Sequence, residues 1–141
     1  MLKVMDDLYR QNILDHFKNP RNYGKLDNPD FEADEENISC GDRIGMNIKL
    51  KMKNATLRLR SGQELKIIED IKFFGEGCAI TMASASLLTE KVKGKNLEDA
   101  KKIGKDEIMK MLGVTLTPTR MKCALLPLEV LGKTLSLVKK A

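Results

Sequence analysis

The 141-residue sequence has no tryptophan, and aromatics make up only 4% of it, so any core must rest on Leu, Ile, Val, Met and Ala. It has no apolar stretch near the roughly 20 residues needed to cross a bilayer. The longest, Cys123 to Leu131, is broken by Glu129, which excludes a membrane-spanning helix. The start of the chain, Met1-Leu2-Lys3-Val4-Met5-Asp6-Asp7, meets acidic residues before any signal-length apolar run, so a cytoplasmic protein is expected. Cysteine is scarce and odd in number, at three, which argues against a disulfide framework. No internal repeat or low-complexity stretch appears. Charge of one sign does not dominate either: 25 Lys and Arg face 20 Asp and Glu, a net charge of +5. With few aromatics among the basic residues, a nucleic-acid partner is not expected.

What is present suits one domain over residues 1–141. A chain of about 150 residues buries roughly 70% of its unfolded surface, so a metal need not serve as a structural staple. Tyr9, Ile13 and Phe17, with Leu14 beside them, give a helical pattern from Asp6 to Lys18 that Asn19-Pro20 ends. The turn-rich segment Asn19–Pro29 predicts an irregular connection. Asp30, Glu32, Asp34, Glu35 and Glu36 form an acidic run expected to be a solvated edge strand or loop. Met46, Ile48, Leu50 and Met52 alternate with polar residues as in a strand buried on one face. Leu57 to Arg60, a Ser61-Gly62 turn and the Ile-rich stretch Leu65–Phe74 extend this to a small antiparallel sheet.

Gly75-Glu76-Gly77 closes the last strand, and Cys78–Val92 predicts a helix crowded with Ala and Ser. Asn96 is placed to cap a short helix to Ile103, and Asp106 another ending near Gly113. Thr115–Lys122 reads as a loop. A final helix from about Cys123 then carries Leu128, Leu131, Leu135 and Val138, with Pro127 required in its first turn.

Each Cys falls at an element boundary: Cys40 in Ser39-Cys40-Gly41-Asp42, Cys78 after Gly75-Glu76-Gly77, and Cys123 after Arg120-Met121-Lys122. No pair has the short spacing of a zinc finger or ferredoxin, so a shared site must be assembled by folding. The alternative is three buried thiols that serve only to pack the core. Chemistry favours a site. Cys78 and Cys123 are each expected at a helix N-terminus, which stabilises thiolate, and Arg120 and Lys122 add positive charge beside Cys123. Asp42, two residues past Cys40, can supply an oxygen ligand. Three thiolates and a carboxylate suit zinc, and the same thiolates suit iron-sulfur chemistry. The one histidine, His16, reads as a polar helix-end residue outside this set.

The segments Tyr9–Gly24 (YRQNILDHFKNPRNYG), Ser39–Asp42 (SCGD), Gly75–Glu90 (GEGCAITMASASLLTE), Val92–Leu97 (VKGKNL) and Arg120–Leu125 (RMKCAL) resemble the NifU/IscU family of iron-sulfur cluster assembly scaffolds. The resemblance runs nearly end to end. It implies an α+β fold, a small three-stranded antiparallel sheet packed against several helices. It also implies a carrier rather than an enzyme: a protein that takes sulfur from a cysteine desulfurase, builds a transient 2Fe-2S cluster and passes it to acceptor apoproteins. By motif position, Cys40, Cys78 and Cys123 are then the cluster or zinc ligands, and Asp42 the regulatory carboxylate. Lys122 stands where the IscU branch has His, and Leu116-Thr117-Pro118-Thr119-Arg120 replaces its chaperone motif, so a dedicated chaperone partner is not carried over. Lys122 and the GCAI motif resemble instead the SufU branch, which implies a zinc-dependent sulfur acceptor, a sulfurtransferase, as the alternative. The additional segment of SufU proteins between the second and third Cys is absent.

Overall fold

The computed structural model describes residues 2–37, 41–52 and 66–140. In chain order these form α1 (Leu2–Lys18), β1 (Phe31–Asn37), β2 (Asp42–Met52), β3 (Lys66–Glu76), α2 (Ala79–Val92), α3 (Leu97–Lys101), α4 (Lys105–Leu112), α5 (Pro118–Ser136) and a closing 3-10 turn, Leu137–Lys140. None of the described helices is long and apolar enough to cross a membrane.

The three strands make one antiparallel sheet in the order β1-β2-β3. The alternation read from Met46 onward is real, and Ile44, Met46 and Ile48 of β2 pack with Ile71 and Phe73 of β3 on the buried face. The acidic run supplies the edge strand β1. Such a strand is possible because its carboxylates stay near water and find cations: Asp34 meets Arg43 at 2.7 Å and Glu35 meets Lys133 at 2.9 Å. The expected strand at Leu57–Arg60 and its Ser61-Gly62 turn lie outside the described residues. The polar face of β2 is not open throughout. The segment after α1 crosses it: Leu26 N–H donates to Asn47 Oδ1 at 2.8 Å, and Asn47 is fully buried.

Helix α2 sits at the centre, against α1, α5 and β3, and is largely buried, with Ala83, Ser84, Ala85, Ser86 and Leu88 fully enclosed. The small side chains read from the sequence let neighbouring backbones come close, and hydroxyls bond within the interior, as Ser84 does to the Ala124 carbonyl at 2.7 Å. Helix α1 does not bury the expected stripe. Ile13 and His16 are buried whereas Leu14 and Phe17 are exposed. A polar ring can take the inward position because His16 Nδ1 lies 2.7 Å from Ser86 Oγ, which also accepts the Arg21 N–H at 2.8 Å.

The short helices follow local rules with two shifts. Asn96 Oδ1 accepts the Asp99 N–H at 2.7 Å and caps α3. Helix α4 begins at Lys105 after Gly104, so Asp106 lies in its first turn rather than capping it, and left-handed Gly113 ends it. Helix α5 starts at Pro118, five residues before the expected Cys123. Thr117 caps it, and proline is well suited to a first position whose N–H has no intrahelical acceptor. Pro127 is therefore inside the helix, where it has no N–H to give the Cys123 carbonyl. Leu131, Leu135 and Val138 are buried as expected.

Candidate metal centre

Three separate elements bring donors together. Asp42 is the first residue of β2, Cys78 is the N-cap of α2, and Cys123 lies in the second turn of α5. A carboxylate oxygen and the two sulfur atoms all lie within 4.8 Å of one another. In tetrahedral zinc sites, with Zn–S near 2.3 Å and Zn–O about 2.0–2.2 Å, neighbouring ligand atoms stand about 3.5–3.8 Å apart. The donor set thus fits one zinc ion after modest side-chain rotation, and its two sulfurs equally suit iron-sulfur chemistry. Cys40 falls outside the described residues.

Asp42 is almost wholly buried, and both its oxygens have partners. Oδ1 accepts the Cys78 N–H at 3.2 Å, and Oδ2 accepts the Thr81 hydroxyl at 2.6 Å. Thr81 Oγ1 also lies 3.4 Å from Cys78 Sγ. Each carboxylate oxygen has two lone-pair positions, so these bonds leave capacity for a metal. Cys78 is a half-buried free thiol held below its ordinary range. Burial pushes it up, but the Thr81 hydroxyl and the backbone N–H groups of Thr81 and Ile80 together favour the thiolate more than burial and the Asp42 charge oppose it.

The glycines before Cys78 make the approach possible. Gly75 has φ +117°, and a Cβ there would overlap the Arg43 carbonyl across the β2–β3 pair. At Gly77 a Cβ would stand 2.9 Å from Thr81 Cβ and 3.4 Å from Asp42 Cγ.

Cys123 is buried, 1% exposed, and is not at a helix N-terminus. The true start of α5 is at Thr117, and the helix dipole acts within about the first turn, so the expected dipole effect does not reach Cys123. Arg120 and Lys122 lie near that start and are exposed, outside the converging donors. His16, buried against Ser86, is likewise not among them. Thr81 escaped the sequence analysis. Its signal was the three-residue spacing from Cys78, the spacing at which an N-cap and the third helical residue face each other.

A family model described as the NifU-like N-terminal domain matches residues 8–140. The zinc-dependent sulfurtransferase SufU of Bacillus subtilis is 40% identical, with 92% of this chain and 90% of that protein covered. Its alignment runs over 146 residues, more than this whole chain, so it carries positions with no counterpart here. The iron-sulfur cluster assembly scaffold protein IscU 1 of Archaeoglobus fulgidus is 36% identical over 91% of this chain and 74% of its own length. A crystal structure from Fervidobacterium islandicum, described as a candidate iron-sulfur cluster assembly scaffold of the SUF system, superposes with a TM-score of 0.69 at 27% identity, covering 89% of this chain and 94% of that one.

Proposed function

This chain belongs to the NifU-like N-terminal domain family, and we propose that it is a scaffold on which a labile 2Fe-2S cluster is assembled from iron and desulfurase-derived sulfur and then passed to apoproteins. The observation that carries the reading is the convergence of Asp42, Cys78 and Cys123 from three elements on one small, mostly buried volume. Cys40 completes the set. It stands two residues before Asp42 in the sequence. The site also includes a carboxylate, the hardest and most exchangeable donor of the four, through which the cargo can be released. Cysteine desulfurase is the proposed sulfur donor, and iron-sulfur apoproteins the acceptors. Arg120 and Lys122 are assigned to docking the donor, a role that their exposure near the start of the helix carrying Cys123 supports. The reducing cytoplasm is the proposed place of action, since cysteine ligands must stay reduced to bind metal.

The donor chemistry and the 40% identical zinc-dependent sulfurtransferase favour a second reading, a zinc-bound sulfur acceptor. In that reading Asp42 and the three Cys hold zinc, which stabilises thiolate and keeps the acceptor sulfur nucleophilic. Anaerobic reconstitution with iron, sulfide and a cysteine desulfurase separates the two. A scaffold develops a visible cluster spectrum and passes the cluster to an apo acceptor. A sulfur acceptor instead raises desulfurase turnover without one. A protein that does neither is no member of this pathway.

A further inference from the structure

We propose that Thr81 is a positioning residue for the metal centre, holding the Asp42 carboxylate in the orientation from which it can ligate. The inference rests on the reading of Asp42 as a ligand. Thr81 is fully buried, so water cannot substitute for its hydroxyl. Its 2.6 Å bond to Asp42 Oδ2 is the shortest hydrogen bond at the site and is charge-assisted. The other oxygen, Oδ1, has only the longer 3.2 Å bond from the Cys78 N–H. Thr81 therefore pins one end of the carboxylate and leaves the weaker-held end as the one that can turn toward the sulfurs. Thr81 Oγ1 also lies 3.4 Å from Cys78 Sγ, so the one side chain touches both the carboxylate and the neighbouring sulfur. Packing fixes the hydroxyl itself: Thr81 is the third residue of α2, and its β-branched side chain occupies the space that Gly77 leaves open.

Groups that orient ligands from outside the metal's own shell change metal affinity by about 10–100-fold when removed. Thr81→Val keeps the shape and deletes the hydroxyl, whereas Thr81→Ser keeps the hydroxyl. Zinc affinity, measured by chelator competition on the full chain, is expected to fall about 10–100-fold in Thr81→Val and to return to near wild type in Thr81→Ser. In an Asp42→Ala background, Thr81→Val should produce no further loss, because the threonine acts through the carboxylate. Thermal melts monitored by circular dichroism establish that the variants are folded, and Thr81→Ala replaces Thr81→Val if that variant does not fold. Wild-type affinity in Thr81→Val, or an equal loss with and without Asp42, overturns the proposal. An Asp42→Ala variant that binds zinc as tightly as wild type overturns the ligand reading beneath it, a separate and distinguishable failure.

Discussion

Replacing Gly77 by alanine is the most direct test of how tightly the centre is built. The new Cβ would sit 2.9 Å from Cβ and Cγ2 of Thr81. Carbon atoms settle at about 3.5–4.0 Å, so Thr81 would have to retreat by roughly 0.6–1.1 Å. It has little room, being fully buried in the interior. A retreat of that size stretches its 2.6 Å bond to Asp42 to about 3.2 Å or beyond, the outer limit for a useful hydrogen bond. Overpacking of this kind costs about 1–3 kcal/mol. For a chain of this length that lowers the melting temperature by about 3–12 °C. Gly132→Ala is the matched control. Gly132 lies inside α5, and an added Cβ meets nothing within 4 Å. The substitution should therefore stabilise by about 0.5–1 kcal/mol through the lower backbone entropy cost of alanine in a helix. Melts of both variants, with a zinc titration of each, should give opposite signs in stability and a loss of affinity only for Gly77→Ala. If Gly77→Ala melts at or above wild type and binds zinc unchanged, the packing argument at the centre is wrong.

Three further outcomes are expected. Asp42→Ala should lengthen the lifetime of a reconstituted cluster and slow its transfer if the carboxylate is the exit point. It should lower zinc affinity if the carboxylate is a fourth zinc ligand, so measuring both on one variant separates the roles. Alkylation should label the half-buried Cys78 well before Cys123, which is 1% exposed; equal rates would show that α5 opens readily or that Cys78 is shielded. Burial, reinforced by the Arg21 charge, holds His16 below the ordinary imidazole value of 6.5. The unfolded chain therefore takes up this proton at a higher pH than the native one, so its contribution to stability is full above about 6.5 and falls as pH drops through that value. Melts of wild type and His16→Gln across the acid side of neutrality should show this segment of the curve only in the wild type.

The comparison of sequence with structure is uneven along the chain for physical reasons. Where the signal is local, it was legible. The alternation through β2, the helix after Cys78, the Asn96 cap and the stop at Gly113 all depend on neighbours a few residues away. Helical periodicity misled in α1, where a tertiary partner decides which face is buried. The acidic run is the solvated edge strand expected of it, held by Arg43 and Lys133, whereas His16, expected as a polar helix-end residue, took a buried position because Ser86 faces it. The start of α5 was mistaken because Pro127 was assigned to the first turn that Pro118 occupies.

The sequence alone determined the chemistry available: three thiols, one carboxylate placed two residues after the first of them, glycines before the second, and motifs specific enough to imply a family. Only the tertiary structure decided that Asp42, Cys78 and Cys123 meet, that Thr81 holds the carboxylate, and that Arg120 and Lys122 stay at the surface. The reason is reach. Residue spacing fixes what lies within a helical turn or across a pleat, whereas Asp42 and Cys78 are 36 positions apart and meet only because β2, β3 and α2 pack in one way.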